Sequence, residues 1–518
     1  MTLNKTIILQ RKTQYCSFKI LLALVLCSLG SNAQHPAAVE ENLKKAGNNR
    51  IELEKAIAYC HKTNDPLKLK AIYFLISNMD IHYSADYYWE NIEGKKIPFN
   101  ELDYPNFDVV AKVFDSIKKQ NPGLKPKTIT YQDLETIKGD YLIQNIENAF
   151  ASWQNATNKN VSFESFCEYI LPYRITIEPI QEWRKAYYSK FNWITDKIKE
   201  VGFTPALPYA KDEAMSWFKN TWGSGGRDEP LPRLGSMQLL MRKQGPCEDM
   251  ADLGVFTMRS IGIPATINTI PYWATATSGH FTNTFFDGNQ PIPFDYGESK
   301  AVAPLKREPA KVLRTTYSKQ ANALASKISI NSIPENFLRL KNYIDVTPEY
   351  VATAHVKCSL TQTTIPQKIA YSATFNGLKW KTFWWGDIVN RQVEFKDMCK
   401  KTVILPQYYI DGKLIPAGYP IIIGENENRI LTPNFKQLQN VTISSFASYL
   451  LIKPEVIYKL FYWDNQWKLI GTQKATPTTE SFVFEKVPKN ALLLLLATDS
   501  KGLERPFVLD DKGERTWY

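Results

Sequence analysis

The sequence is poor in the residues that many enzyme chemistries depend on. It has only five histidines in 518 residues, and it contains no His-Glu-x-x-His run, no Cys-x-x-Cys pair and no Gly-x-Ser-x-Gly elbow. Metal-hydrolase and serine-hydrolase mechanisms therefore lack their spacing. No Asp-rich loop has calcium-binding spacing. The loop at Ser224-Gly225-Gly226 lacks the lysine of a phosphate loop, so it reads as a connection or the border of a cleft. No metal and no cofactor is expected. Also missing are an arginine-rich arm, a long lysine run and the aromatic-basic signature of an RNA-binding sheet, which excludes nucleic acid as an expected partner. Past the first 33 residues there is no apolar run of membrane-spanning length, no solenoid period and no low-complexity tract.

What is present is a globular composition, 44% apolar and 13% aromatic, in a chain too long for one hydrophobic core. The first residues read as a targeting leader. Lys5, Arg11, Lys12 and Lys19 precede the apolar run Ile20–Leu29, and Ser31-Asn32-Ala33 places small residues where a signal peptidase reads them. Export to the periplasm, cell surface or medium follows, with cleavage near Ala33. Acylation of Cys27 is the weaker alternative, because Leu26 precedes it where a small residue is usual. Without the leader's four basic residues the net charge falls from +11 to +7, with 59 Lys and Arg against 52 Asp and Glu, which is a solvated surface. Five cysteines remain, Cys60, Cys167, Cys247, Cys358 and Cys399. That odd number leaves at least one thiol free and allows up to two disulfides among the other four, with pairing unspecified.

Along the chain the pattern predicts an α+β multidomain protein: a leader over 1–33, a helical N-terminal region over 34–204, an α+β core over 205–310, a connecting segment over 311–340, a β-sandwich module over 341–430 and a second β-rich module over 431–518. The N-terminal region shows amphipathic stretches at Ile51–Tyr59 and Leu67–Ile81 and little strand alternation. Between Phe163 and Tyr187, aromatic and charged residues are mixed as in buried packing between helices. A further helix is expected over Asp212–Trp222. Past residue 340, short runs such as Lys368–Thr374, Thr402–Leu405, Ile421–Ile423, Val456–Tyr462 and Ala491–Leu496 alternate with turn signals at Asp411-Gly412 and Asp464-Asn465. Trp380, Trp384 and Trp385 read as sandwich core in preference to a sugar-stacking surface.

One stretch carries chemistry. Gly245-Pro246-Cys247 opens a helix whose apolar stripe is Met250, Leu253, Phe256 and Met258, and Gly262 with Pro264 stops it. Cys247 thus stands at a helix N-terminus, where free N–H groups and the helix dipole favour thiolate. Then come a strand at Thr266–Tyr272, a second from Gly279-His280, and Asp287-Gly288, a hairpin signal. With Asp287 and Gly288 as the turn, Phe286 faces Asn289 and His280 faces Asp295, although Pro291 and Pro293 imply an edge strand or bulge. A thiolate at Cys247, a general base and acid at His280 and an orienting carboxylate at Asp295 make acyl-transfer machinery.

Cysteine at a helix start, the following Arg259-Ser260-Ile261-Gly262-Ile263-Pro264-Ala265, a Gly-His strand and an Asp-bearing strand, in that order, resemble the transglutaminase-like superfamily. The resemblance spans Ser236–Tyr296, and the flanks look like those of large exported bacterial relatives. It implies a papain-like fold and acyl chemistry on amides through a thioester: hydrolysis of a peptide, protein or cell-wall-derived amide, or transamidation. One departure is Thr282, where many relatives have Trp, while Asn283 is kept. For the oxyanion, the Cys247 backbone N–H needs a second donor, and Gln244, Gln238 and Trp273 are the candidates. The alternative reading is a non-catalytic scaffold at the cell surface whose β-modules engage a polysaccharide or protein.

Overall fold

The computed structural model describes residues 35–221, 231–298, 300, 302, 304–361, 367–446, 450–510 and 513–518. The expected leader with Cys16 and Cys27, its expected cleavage site at Ala33 and the Ser224-Gly225-Gly226 loop lie outside these residues. Within them the chain is an α+β protein with several cores, helical toward the N-terminus and sheet-rich toward the C-terminus, as expected. Among the described residues no helix is long and apolar enough to cross a membrane.

Helices α1 (Ala37–Lys45), α2 (Arg50–Lys62), α3 (Pro66–Asn78) and α4 (Gly139–Gln154) share a core that includes Leu53, Ile57, Leu75, Ile76, Leu142 and Ile146. The start of α3 is set locally. The Asp65 carboxylate accepts from the Leu67 N–H at 2.9 Å, and Pro66 occupies the first helical position. The expectation of little strand structure here needs correction, because β1 (Tyr83–Glu90) and β2 (Lys125–Gln132) pair antiparallel along their whole length. Both faces of β1 are partly covered, so its run of aromatics shows no polar alternation, and β2 is largely exposed. The mixed stretch after Phe163 is structural. The Arg174 guanidinium donates to Asp133 at 2.6 and 2.7 Å in full burial, and Arg184 donates to Asn145 and to the carbonyls of Ile170, Leu171 and Pro172.

The centre of the molecule is α5 (Cys247–Ser260). A one-sided apolar stripe is expected from its sequence, yet from Asp249 to Ser260 every residue is buried. The N-terminal helices cover the side that a surface helix would show to water. Met250, Leu253, Val255, Phe256 and Met258 lie in one cluster with Trp183 and Tyr187. Fully burying each is worth about 1.5–3 kcal/mol, so Phe256→Ala costs about 3–5 kcal/mol. The helix stops as expected. Gly262 adopts φ +80°, its N–H bonds the Arg259 carbonyl, and the Ile263 N–H reaches back to Met258 at 2.9 Å. The backbone of Ser152 in α4 occupies the space a side chain at Gly262 would take. Arg259 then joins the two regions by donating to the carbonyls of Ala265 and Arg174.

Against α5 packs a five-stranded antiparallel sheet. It contains β3 (Ala265–Ile270), β4 (His280–Asp287), β5 (Gln290–Phe294), β6 (Leu313–Thr315) and β7 (Tyr343–Asp345), in the order β7-β6-β3-β4-β5. Two of its strands therefore come from beyond residue 310. Each has only three residues, too few to show a period. The helix expected over Asp212–Trp222 runs instead over Phe203–Trp217 and gives way to the short strand Lys219–Asn220.

Toward the C-terminus, β8 (Thr353–Ser359), β9 (Ile369–Asn376), β10 (Lys379–Val389), β11 (Gln392–Cys399) and β12 (Thr402–Ile410) belong to an eight-stranded sheet. After it come a two-stranded ribbon and a five-stranded sheet over residues 434–517. Asp411-Gly412 turns the chain back after Ile410, which pairs with Lys413. Trp380 packs against Phe375 and Trp463, while Trp384 and Trp385 lie against buried clusters with Lys311 and Lys327 over their rings.

Candidate active site

Cys247 is the first residue of α5 behind Pro246, so the N–H groups of the first turn have no partner within the helix. Glu248 and Asp249 follow in that turn, where acidic residues complement the helix dipole whether or not the cysteine reacts. The Cys247 Sγ donates to Glu248 Oε2 at 3.5 Å. His280 opens β4. Gly279 before it lies so close to the carbonyls of Ile270 and Pro271 that any side chain there would collide with them.

The hairpin after β4 differs from the expected register. Asp287 pairs with Gln290 and Asn283 with Phe294, so the turn residues are Gly288 and Asn289, not Asp287 and Gly288. Gly288 at φ +63° suits the first turn position, which moves the turn on by one residue. Opposite positions then shift by two, which leaves every side chain on its expected face. Asp295 falls just past the end of β5 and diagonal to His280, not directly across. The two still meet: His280 Nε2 and Asp295 Oδ2 are 2.8 Å apart, and the Gly297 N–H donates to Asp295 Oδ1 at 2.7 Å.

The carboxylate fixes the imidazole through Nε2, so Nδ1 is the nitrogen left to serve the Cys247 sulfur. Burial pushes the His280 imidazole down, but hydrogen bonds with Asp295 and Cys247 and the charges of both override it, raising the imidazole to about 10. Trp273 stacks on the ring, with centroids 5.9 Å apart and planes at 26°. All three predicted residues border one cleft of about 780 Å³, whose wall also includes Trp273, Glu248 and Phe337.

No family model matches the chain, and no curated protein matches it. Among solved structures it is similar to one titled "Crystal structure of red sea bream transglutaminase". The identity is 10% and the TM-score 0.20, over 84% of this chain and 77% of that one. The chemistry of the cleft rests on its own geometry.

Of the expected oxyanion donors, Gln238 is committed elsewhere. Its Oε1 accepts from the Gly235 N–H and its Nε2 donates to Glu101, which closes the helix start at Ser236. Trp273 borders the cleft, and Gln244 is absent from its wall. Instead Asn220 and Thr221 reach the wall, because Lys219–Asn220 pairs in parallel with Gln244–Gly245 beside Cys247. A two-residue strand leaves no pattern in sequence. Arg233 is another unforeseen participant. It donates to the Glu248 carbonyl at 3.0 Å and to Asp252 at 3.1 Å, and it lies 4.4 Å from the Phe281 ring. It thereby touches the residues that follow Cys247 and His280.

The remaining cysteines are buried and free, so no disulfide joins Cys60, Cys167, Cys358 or Cys399. Burial is the main cause that raises all four thiols, with Cys60, Cys358 and Cys399 pushed up to about 12. Among the described residues no cluster of three or more His, Cys, Asp or Glu side chains is placed to hold a metal.

Proposed function

We propose that the chain is an exported cysteine-dependent acyl-transfer enzyme, a peptidase or amidase that works through a thioester. Cys247 is the nucleophile, His280 the general base and acid, and Asp295 the carboxylate that orients the imidazole. The single observation that carries this reading is the His280–Asp295 bond on the wall of the cleft that also holds Cys247 at its helix start.

The steps follow from that arrangement. The Cys247 thiolate attacks the carbonyl carbon of an amide and forms a C–S bond, while negative charge gathers on the oxygen near the free N–H groups of the helix start. As the C–N bond breaks, the His280 imidazolium gives its proton to the leaving amine. The thioester is then attacked by water that has lost a proton to His280, which releases a carboxylic acid and restores the thiolate beside the imidazolium. If an amine takes the place of water, the product is a new amide. The substrate class is a peptide, protein or cell-wall-derived amide outside the cytoplasm.

The test is to incubate the protein with a panel of peptides and cell-wall-derived amides and to measure intact mass after acid quenching. The expected result is an acyl adduct on Cys247 and released product, both abolished by Cys247→Ala. Equal product from wild type and Cys247→Ala, together with Cys247 alkylation that ignores His280→Ala, overturns the reading.

A further inference from the structure

We propose that Asn376, at the end of β9 in the C-terminal sheet, is a positioning residue of the thiol–imidazole site, holding the loop that sets the ring of His280. The inference rests on the function proposed above.

The loop Trp273–Ser278 lies between β3 and β4 and leads directly into Gly279 and His280. It closes on itself through the Trp273 N–H and the Ser278 carbonyl at 3.0 Å, with Ser278 at φ +60°. Such a loop turns several carbonyls inward, and each needs a donor. One side chain meets much of that need, its two N–H donors shared among three carbonyls. Asn376 Nδ2 lies 3.0 Å from the Trp273 carbonyl, 2.9 Å from that of Ala276 and 2.9 Å from that of Ser278, and its Oδ1 accepts from the Ser278 N–H at 3.1 Å. It is buried.

A second grip comes from the last part of the chain. The Arg505 guanidinium donates to the carbonyls of Ala274, Ala276 and Phe375, tying the loop to the strand residue that precedes Asn376. The loop is therefore held by residues about one hundred and two hundred and thirty positions away. What it holds matters for chemistry, since Trp273 stacks on the imidazole and Gly279 fixes where β4 begins. A ring whose Nε2 is bonded to Asp295 can face the sulfur through Nδ1 only if its plane is fixed, and the stacked indole is what fixes it. On this view the C-terminal sheets are part of the reacting centre and not a detachable binding module.

The test uses the full chain after removal of the leader. Selective ¹³C labelling of the five histidines allows the His280 titration to be followed by NMR, and alkylation of Cys247 by iodoacetamide is timed across pH. In wild type the imidazole is expected to titrate well above a free one, raised to about 10 by its bonds with Asp295 and Cys247. Asn376→Ala is expected to move it toward about 6.5, the value of a free imidazole, and to slow alkylation at pH 7 by about tenfold or more. The control is Ile443→Ala, which empties a buried position in a separate core of the two-stranded ribbon and is expected to lower the thermal midpoint without moving the titration. If Asn376→Ala does not fold, Asn376→Ser, which keeps one donor, gives the same readout in milder form. An Asn376 variant that loses stability but titrates as wild type overturns the proposal. A different outcome overturns the underlying reading: wild-type alkylation already indifferent to His280→Ala.

Discussion

The Asn283 side-chain amide donates to the Ala251 carbonyl at 2.8 Å, joining the strand that carries His280 to the helix that carries Cys247. Each partner lies within about one helical turn or three strand residues of the group it serves, so this bond sets how far the imidazole stands from the sulfur. The same side chain is fully buried, and its Oδ1 has no partner. An amide with one satisfied end and one orphaned end is a poor way to gain stability. Asn283→Leu is therefore expected to change the unfolding free energy by only about 1 kcal/mol in either direction. Alkylation of Cys247 at pH 7 should nonetheless slow markedly. Denaturant titration and timed alkylation separate the two effects, and unchanged reactivity removes Asn283 from the site.

The raised imidazole of His280 makes a signed prediction about pH and stability. Its folded value of about 10 lies above that of a free imidazole, about 6.5. The pairing therefore contributes its full stabilisation below about pH 6.5 and loses it as pH rises through about 10. The difference in urea midpoint between wild type and His280→Gln should be largest at the acid end of that window and should vanish at its alkaline end. A difference that grows with pH contradicts the pairing.

Thiol chemistry gives a direct count. The four cysteines other than Cys247 are buried and free, and burial raises all four thiols. A chain without its first 33 residues should show one fast-reacting thiol under native conditions and five in denaturant, with no gain after reduction. Cys247→Ser should remove the fast one. Fewer than five in unreduced denaturant would reveal a disulfide.

Parts of this architecture were legible in the sequence because their cause is local. Pro246 before Cys247 and Gly262 with Pro264 after Ser260 mark both ends of the central helix, and neither mark depends on what packs nearby. The His280–Asp295 pair was legible through alternation, which survived a turn placed one residue early because opposite positions shift in twos. Contacts set at a distance were not legible. The three-residue strands Leu313–Thr315 and Tyr343–Asp345 are too short to carry a period. Burial of the central helix on every face depends on partners that include Trp183 and Tyr187, about seventy residues before the Phe256 they pack against. Asn376 and Arg505 are ordinary polar residues until the fold brings them onto the loop before His280.

Under the proposed function, Glu248 bears on which groups the cleft admits. Its carboxylate lies 3.5 Å from the Cys247 sulfur, borders the cleft and has no cationic partner among the described residues. A carboxylate so close to the Cys247 sulfur attracts a cation on an incoming group and repels an anion. At about 4 Å that preference is worth about 1 kcal/mol in water-like surroundings and more where water is displaced. Charge-tagged methanethiosulfonates of equal size measure it without knowledge of the natural substrate. The aminoethyl reagent should modify Cys247 faster than the sulfonatoethyl reagent, and Glu248→Gln should narrow that ratio by about fivefold or more. High salt should narrow it less than it would for an exposed charge, because the carboxylate is partly screened from solvent by the cleft wall. If the ratio is the same in both proteins, Glu248 has no part in selection and its place in the first turn answers only to the helix dipole.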